Sequence, residues 1–446
     1  MKRKHRFQLS PPRLIAFGFF VVILMGAGLL MLPVSYQGDA PGFLNALFTS
    51  TSATCVTGLV VRDTFTGWTT FGQVVILCLI QLGGLGFMTV ITLISFALGR
   101  RLGLYDRKVL MQSAGNISLA GVGTLIRKIV PLTFLFEACG AAVLAIRFVP
   151  EFGPARGIYF SVFHAVSAFC NAGFDLMGVR SPFSSLTAYA GDPLVTLTLS
   201  LLVIIGGLGF LVWRDMGNQK YHWKKYHLHT KVVLTTTGIL LLGGWLLFFV
   251  FERNASLKGL PLGDQLLASF FQSVTPRTAG FNTVDLNSMS ESGKMLTNVL
   301  MLIGGSPGST AGGIKTTTIA VLVLSAIVSA KGYTKVNAFR FNIDRDMLRQ
   351  ACSIVTIYLL MAVLAVLAVC AFDPVSMSQA MYEVNSAIAT VGLSLGITPT
   401  LSAASRIVII LLMYAGRIGG LTFVLLFSER KKEPPIDRPV GKLLIG

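Results

Sequence analysis

Four glycine-centred segments recur along the chain at nearly equal intervals. Their central glycines are Gly58, Gly173, Gly280 and Gly392, which lie 115, 107 and 112 residues apart. Glycine takes positive φ without strain, so the carbonyl groups on either side of it can turn towards a common axis. Four such sets of carbonyl oxygens could replace the water shell of a cation. The spacing of these glycine segments (55–59, 170–174, 277–281 and 389–393) therefore favours ion coordination by backbone oxygens.

Each glycine segment contributes three residues to the predicted ion-binding site. They are Val56, Thr57, Gly58, Asn171, Ala172, Gly173, Thr278, Ala279, Gly280, Thr390, Val391 and Gly392. None of them carries a carboxylate, so the segments lack the acidic ring of a divalent-cation filter, and a monovalent cation fits better. A single glycine of this kind is more often a turn or a close helix contact, and it is the fourfold recurrence that reverses this interpretation.

An irregular stretch interrupts an apolar run near the middle of the chain. Residues 304–318 contain five glycines and one proline, a composition that predicts a break in a helix. Gly308 to Lys315 nearly matches the phosphate-binding pattern GxxxxGK[ST], but Ile314 separates the glycine from the lysine and no soluble strand precedes it. This excludes nucleotide hydrolysis, and with no other catalytic constellation in the chain we predict that it is not an enzyme.

The elements that must hold the glycine segments are apolar stretches of membrane-crossing length. A crossing needs about twenty apolar residues, and eight such stretches occur in four pairs. The pairs are 14–33 with 72–98, 129–149 with 194–213, 231–251 with 295–328, and 352–372 with 405–427. Between the members of each pair lies a stretch too short to cross. These short stretches, which lead into the glycine segments, are 44–54, 158–169, 265–275 and 379–389.

The pairing predicts an all-α membrane protein with four repeats of span, half-helix, loop and span around one central pore. The predicted repeats are 14–98, 125–213, 231–328 and 352–427, with a cytoplasmic N-terminus (1–13) and tail (428–446). They form a single pore domain with eight full spans. Irregular backbone at membrane depth must be buried in protein or line a wet cavity, which places the four loops around one axis.

Composition makes the bilayer the solvent of this chain. Of its 446 residues 53% are hydrophobic and 13% are charged, so a water-soluble protein of this size would lack the polar residues to cover its surface. The net charge of +18 comes from basic clusters between apolar stretches, five of which hold 26 of the 37 Lys and Arg residues. The positive-inside rule explains these clusters better than nucleic-acid binding. It predicts a multi-pass protein of the cell membrane with both termini in the cytoplasm.

The glycine segments, the duplicated unit and the stretch Gly304-Gly305-Ser306-Pro307-Gly308-Ser309-Thr310-Ala311-Gly312-Gly313-Ile314-Lys315-Thr316 resemble the Trk/Ktr/HKT superfamily of cation transporters. The chain is most similar to the Ktr membrane subunit, because its first span already belongs to the first repeat. Glycine in all four loops implies potassium selection by this resemblance. Only Thr390-Val391-Gly392-Leu393 is similar to the TVGYG signature of tetrameric potassium channels, so the filter is expected to hold fewer well-formed sites.

The resemblance further implies a gate below the filter, made by an intramembrane loop of the third repeat and Arg417. Arg417 lies within the last span, where an unpaired charge costs at least about 2.5 kcal/mol and so faces a cavity or a partner. A buried pair that holds helices together is the alternative. The predicted gate residues are Gly304, Gly305, Gly308, Ser309, Thr310, Gly312, Gly313, Lys315 and Arg417.

The same resemblance implies a homodimer bound to a cytoplasmic ring of nucleotide-binding regulatory subunits similar to KtrA. ATP or ADP would be bound by that partner, and this chain would hold no cofactor. Potassium is the implied transported ion, and whether sodium stimulates uptake stays open. Two other classes stay open as well: a secondary transporter with alternating access, and a structural or assembly membrane protein without conductance.

A few ionisable residues fall outside these sites. Glu137 is the acid well inside a span, and it either bonds a neighbouring helix or takes part in ion passage. Arg277 either tunes ion access to the third loop or caps that loop on the outside. A solvated or headgroup-facing loop explains three histidines better than metal binding does. They are His222, His227 and His229.

Overall fold

Helices account for nearly all the regular structure of the protein. The computed structural model describes residues 11–86, 122–220, 222–333 and 335–419. The helices of the first two predicted repeats are α1 (Pro11–Leu30), α2 (Gly42–Thr54), α3 (Thr64–Gly67), α4 (Thr70–Leu85), α5 (Val122–Phe152), α6 (Pro154–Phe169), α7 (Pro193–Leu208) and α8 (Phe210–Gln219). Those of the other two are α9 (Leu228–Glu252), α10 (Leu262–Val274), α11 (Glu291–Leu302), α12 (Thr316–Ala330), α13 (Arg345–Phe372), α14 (Met377–Ile388) and α15 (Ala403–Ile418).

Short elements connect these helices. A two-stranded antiparallel hairpin, β1 (Asn337–Ala338) and β2 (Phe341–Asn342), lies between α12 and α13. Single 3₁₀ turns occupy Met177–Val179, Thr187–Tyr189, Trp223–Lys225, Leu286–Ser288 and Thr398–Thr400.

Within the described residues, four helices are long and apolar enough to cross a membrane: α1, α5, α9 and α13. They coincide with the first member of each predicted pair. Their outer faces carry unpacked apolar side chains; Leu364 on α13, for example, is 65% exposed. In water such faces would be costly, whereas lipid solvates them. The chain is therefore a membrane protein.

The predicted second spans are not continuous helices. α4, α7 and α15 each end at a glycine with positive φ, which is +81° at Gly86, +92° at Gly209 and +95° at Gly419. At Gly209 the chain turns by 93° between α7 and α8, so the predicted span 194–213 is broken at this residue. Helix geometry cannot continue through a residue with positive φ. The ends of the predicted spans 72–98 and 405–427 lie outside the described residues.

The predicted second span of the third repeat is also divided. α11 ends at Leu302 and α12 begins at Thr316, so the predicted span 295–328 is interrupted at the glycine-rich stretch, as its composition indicated. Residues 303–315, hereafter the intramembrane loop, contain no helix.

Four short helices, α2, α6, α10 and α14, lead into the glycine segments: three end at the residue before the segment, and α10 ends at Val274, two residues earlier. With 12 to 16 residues they rise about 18–24 Å, less than the hydrocarbon thickness. Those of the second, third and fourth repeats each pack against the second span of the preceding repeat, and that of the first repeat packs against the second span of the fourth. α6 contacts α4, α10 contacts α7, α14 contacts α11, and α2 contacts α15. The last contact joins the first unit to the fourth and closes the cycle.

A polar contact at the start of each second span joins it to the first span of the same repeat. Each contact uses the N-cap residue of the helix, whose side chain or backbone binds the end of the preceding long helix. The pairs are Thr69 Oγ1 with Val34 O (2.5 Å), Asp192 with Arg147 (2.8 Å), Ser290 with Glu252 (2.6 Å) and Ser402 with Asp373 (3.0 Å).

Candidate functional site

The structure brings the four predicted glycines together in a closed ring. A Cβ atom built on each glycine would lie less than 3.0 Å from a backbone oxygen of the next segment. The contacts run from Gly58 to Ala172 O, Gly173 to Ala279 O, Gly280 to Val391 O, and Gly392 to Thr57 O. Any larger residue would therefore collide with its neighbour at all four positions. The order of the ring is the order of the chain, and the last contact returns to the first segment.

Two left-handed residues alternate with ordinary ones in each segment. The four glycines have φ between +71° and +95°, and the residues two positions earlier have φ of +57° (Val56), +57° (Asn171), +73° (Thr278) and +52° (Thr390). This alternation allows successive carbonyls to point to the same side, which a uniform strand does not. Three of these four residues are β-branched, and a left-handed conformation costs each about 1–3 kcal/mol. The surrounding protein must hold the segments in place.

Hydroxyl residues near the ends of the short helices supply part of that support. The carbonyl of each accepts the N–H of the residue that precedes the ring glycine: Thr57 to Ser52 (2.8 Å), Ala172 to Ser167 (2.8 Å), Ala279 to Thr275 (2.9 Å) and Val391 to Ser386 (2.8 Å). The hydroxyls add further bonds, as when the N–H of Gly392 donates to Ser386 Oγ (3.0 Å). Sequence reasoning missed these four residues. The available signal was a serine six residues before the glycine in three segments and a threonine five before it in the other.

The intramembrane loop lies directly against one ring segment. A Cβ atom at Gly312 would collide with Thr390 Oγ1, so the loop approaches the fourth segment as closely as a glycine permits. The two ends of the loop are joined by a hydrogen bond from Gly304 N to Ile314 O (2.9 Å). The loop thus forms a closed excursion, and Gly312, near its closing end, lies beside the ring.

The same loop is bound to the break between α7 and α8. Ser306 N donates to Gly207 O (3.0 Å), and Phe210 N, at the start of α8, donates to Gly308 O (3.0 Å). These bonds use backbone groups that the broken helix leaves unpaired. The interrupted second spans of the second and third repeats therefore stabilise each other.

Two cationic side chains bind the loop. Arg417 donates one hydrogen bond to Thr310 O in the loop and another to Gly83 O in α4. Lys315 Nζ donates to Ala311 O (2.7 Å) and Gly312 O (3.3 Å). Of the predicted gate residues, Arg417 and Lys315 thus donate hydrogen bonds to carbonyl groups of the loop.

Two ionisable side chains lie behind the ring segments. Glu137 is 4% exposed, accepts hydrogen bonds from the Gln81 amide (3.0 and 3.3 Å) and lies 3.9 Å from Cys170 Sγ. It joins α5 to α4 beside the second segment. Arg277 is 5% exposed and donates to Thr237 Oγ1 of α9 at 3.4 Å. The contact with Thr237 therefore ties the third segment to α9.

An acidic side chain follows the second segment at the outer end of the ring. Burial of Asp175 raises the pKa of its carboxyl to about 7, and the nearby Asp63 charge adds to the increase. The N–H of Met177 donates to Asp175 Oδ1 (2.9 Å) and partly opposes it. The charge of this region therefore changes near neutral pH.

Two of the three predicted histidines, His227 and His229, line one pocket with Asp215, and His222 is not among the residues that line it. His227 is exposed, and its backbone N–H donates to the buried Asp215 (2.9 Å). In the part of the chain that the structure describes, no group of three His, Cys, Asp or Glu residues is placed to hold a metal ion.

Long apolar helices that surround a ring of uncharged backbone loops define a membrane protein for cation transport. The chain belongs to the TrkH family of cation transport proteins, whose family model matches residues 15–434. The resemblance inferred from the sequence is thereby confirmed. Members of this family are transporters, and the prediction that the chain is not an enzyme is confirmed as well.

Individual relatives cover almost the whole chain. The "potassium/sodium uptake protein NtpJ" of Enterococcus hirae is 42% identical, over 100% of this chain and 99% of the relative. The "Ktr system potassium uptake protein B" of Bacillus subtilis is 41% identical, over 98% and 97%. The crystal structure of the potassium transporter TrkH from Vibrio parahaemolyticus matches with a TM-score of 0.72 at 18% identity, over 96% of this chain and 87% of that chain. That last match establishes the fold alone.

Proposed function

We propose that the chain takes up potassium across the cell membrane through a pore whose selectivity filter is the glycine ring. The observation that carries the proposal is the closed succession of backbone contacts among Gly58, Gly173, Gly280 and Gly392. The printed names of the Enterococcus and Bacillus relatives support potassium as the ion. Potassium is weakly hydrated for its charge, and carbonyl dipoles suffice to replace its water.

The proposed architecture is four repeats, 14–98, 125–213, 231–328 and 352–427, with eight crossings. The cyclic packing of each short helix on the preceding second span supports it. The short helices end at the ring, so each directs the negative end of its dipole, equivalent to about half an elementary charge, towards the ion path. Four such ends stabilise a cation without any acidic side chain.

The proposed gate is the intramembrane loop with Arg417 and Lys315. The close approach of Gly312 to Thr390 supports a loop that obstructs the path below the filter. Two positive charges beside that path oppose a cation there, and in a medium of low dielectric the repulsion is strong. Opening then requires the loop to move away from the fourth segment and to give up its bond with Arg417.

Channel-like passage explains the site better than alternating access. The four units have the same direction through the membrane in this proposal, whereas an alternating-access transporter would use inverted repeats around a closed midplane site. The assembly we propose is a homodimer with a cytoplasmic ring of regulatory subunits that bind ATP or ADP. The naming of the Bacillus relative as part of a Ktr system supports such partners.

Ion flux in liposomes tests the filter. Gly173→Ser should lower the preference for potassium over sodium, because its Cβ would displace Ala279 O and Gly280 of the next segment. Gly38→Ser is the matched control, since Gly38 also has positive φ (+71°) but no atom within 4 Å of a built Cβ. An unchanged ion preference in a folded Gly173→Ser protein would remove the filter assignment. Flux that follows a second ion at fixed stoichiometry would favour alternating access.

A further inference from the structure

A large groove lies outside the ion path, between α12, the β1–β2 hairpin and the first turns of α13. Its volume is about 1120 Å³. Neither the ring nor the intramembrane loop contributes a residue to it. Because it opens beside two adjacent helices that run into the membrane, its natural neighbour is a lipid leaflet.

The groove has a basic end and an apolar end. Lys335, Arg345 and Arg349 line it near the hairpin, where the charge distribution of the sequence predicts the cytoplasmic surface. Asp344 is the acid among its lining residues. Arg349 also pairs with exposed Asp346 at 3.3 Å, a bond that an exposed pair exchanges readily for a stronger ligand. The basic groups outnumber the lining acid three to one.

A helix terminus and a hydroxyl group strengthen the preference for an anion at the basic end. Asp344 is the N-cap of α13, but its side chain makes no capping hydrogen bond. The N–H groups of the first turn therefore remain open to an external acceptor. Ser329 and Ser353 also line the groove; the Ser353 hydroxyl donates to Arg349 O (2.9 Å), and the Ser329 hydroxyl can donate to a phosphate oxygen.

The apolar end has the length of one leaflet. Along α12 the lining runs from Ser329 back to Val321, and along α13 from Arg345 to Ile357. At 1.5 Å per residue these distances are about 12 and about 18 Å, close to half of the roughly 30 Å hydrocarbon core. The flanking side chain of Ile327 is 47% exposed, as a lipid-facing residue is. The groove thus passes from a phosphate-binding end to a hydrocarbon-lined end over the depth of one leaflet.

We propose that this groove binds an anionic phospholipid of the inner leaflet, with its phosphate between Lys335, Arg345 and Arg349 and an acyl chain along Val321 and Ile357. Each basic group near a membrane surface contributes about 1 kcal/mol to the binding of anionic lipid. Replacing all three with glutamine should therefore weaken lipid binding about 100-fold.

Cys352 provides a site-specific probe, because it lines the groove and is exposed. The full-length protein, with Cys78, Cys139 and Cys370 replaced by serine, is labelled at Cys352 with a small fluorophore and reconstituted in phosphatidylcholine containing a fixed minor fraction of phosphatidylglycerol. In parallel samples either phosphatidylglycerol or phosphatidylcholine carries the bromine, and both samples contain the same amount of brominated lipid. Brominated phosphatidylglycerol should quench the label several-fold more than the same amount of brominated phosphatidylcholine.

Two matched controls accompany this measurement. In a second protein, which keeps Cys370 and has Cys352 replaced by serine instead, a label at Cys370, exposed near the other end of α13, should be quenched equally by both lipids. Lys335→Gln/Arg345→Gln/Arg349→Gln should abolish the difference at Cys352, whereas Lys220→Gln/Lys224→Gln/Lys225→Gln, which removes three exposed charges from another basic loop, should preserve it. In native mass spectrometry of the unlabelled proteins, the Lys220→Gln/Lys224→Gln/Lys225→Gln variant should retain bound phosphatidylglycerol. The Lys335→Gln/Arg345→Gln/Arg349→Gln variant should lose it.

Three outcomes would overturn the proposal. Equal quenching by both lipids at Cys352, together with no retained phosphatidylglycerol, would show that the groove has no lipid preference. Displacement of the lipid by soluble glycerol phosphate would assign the groove to a free phosphate compound. Cross-linking of Cys352 between two copies, with the groove shielded from both lipids, would assign it to a protein interface.

Discussion

Replacing Arg417 with alanine should raise the potassium flux of the reconstituted protein. The guanidinium donates hydrogen bonds to Thr310 O in the intramembrane loop and to Gly83 O in α4. Hydrogen bonds to charged groups contribute about 1.5–3 kcal/mol each. If opening breaks both bonds, their removal favours the open arrangement by up to about 3–6 kcal/mol. Even one bond at the lower end of this range changes the ratio of open to closed protein about tenfold.

The assay is potassium release from liposomes at matched protein density. Arg406→Ala is the matched control, because Arg406 lies on the same helix and donates two hydrogen bonds of its own, to Asn45 Oδ1 (2.7 Å) and Pro399 O (2.9 Å). We expect at least about a tenfold higher flux for Arg417→Ala and no increase for Arg406→Ala.

The outcome that would refute the reasoning is an unchanged flux in Arg417→Ala with a thermal unfolding midpoint like that of the native protein. The guanidinium would then restrain neither the loop nor the packing of the helices. An equal increase in both variants would attribute the effect to a general loosening of α15 and would equally contradict a specific bond to the loop.

Three further perturbations test other parts of the site. Because the pKa of the Asp175 carboxyl is raised from 3.8 to about 7, this group destabilises the native state as pH rises from about 4 to about 7. Its negative charge appears in the folded protein only as pH passes through about 7, so potassium uptake should rise around that pH, and Asp175→Asn should flatten the profile. Gly312→Ala should increase flux, because the methyl group collides with Thr390 Oγ1 and displaces the loop; reduced flux in a folded variant would contradict this. Ser386→Ala leaves Gly392 N without its hydroxyl acceptor, and we expect a loss of about 1–3 kcal/mol in unfolding free energy, measured by thermal unfolding. The variant should also show a weaker preference for potassium. An unaltered preference would limit the role of Ser386 to stability.

The sequence predicted which segments meet but not how their backbone is bent. Recurrence of glycine at 58, 173, 280 and 392 was sufficient to predict one ring, because four irregular loops in a membrane need a common cavity. The positive φ of β-branched Val56 and Thr390 could not be predicted, since such residues disfavour that conformation and adopt it only where tertiary contacts impose it.

Hydropathy also concealed the helix breaks. The stretch around Gly209 is apolar on both sides, so an average over a window of membrane-crossing length treats it as one span. The 93° turn depends on a single positive φ and on backbone bonds to residues about 100 positions later, such as Gly308. The sequence likewise left the role of Arg277 open between two alternatives, because the direction of its side chain, towards Thr237 of α9, depends on tertiary packing.

The ring and the gate differ in how they use the repeated chain. Every unit contributes the same backbone to the ring, although the residue three before the glycine is Cys55, Cys170, Arg277 or Ala389. Ion coordination by carbonyls needs no particular side chain there, so these positions are free to bind different neighbours.

The intramembrane loop, by contrast, belongs to the third unit and contacts the other three. It bonds Gly207 of the second unit, approaches Thr390 of the fourth, and shares Arg417 with Gly83 of the first. A loop bound at three places around an axis cannot move without breaking contacts in all three units at once. Opening should therefore be cooperative, and a substitution at any one of these contacts should change the open fraction while leaving the ion preference of the ring unaltered.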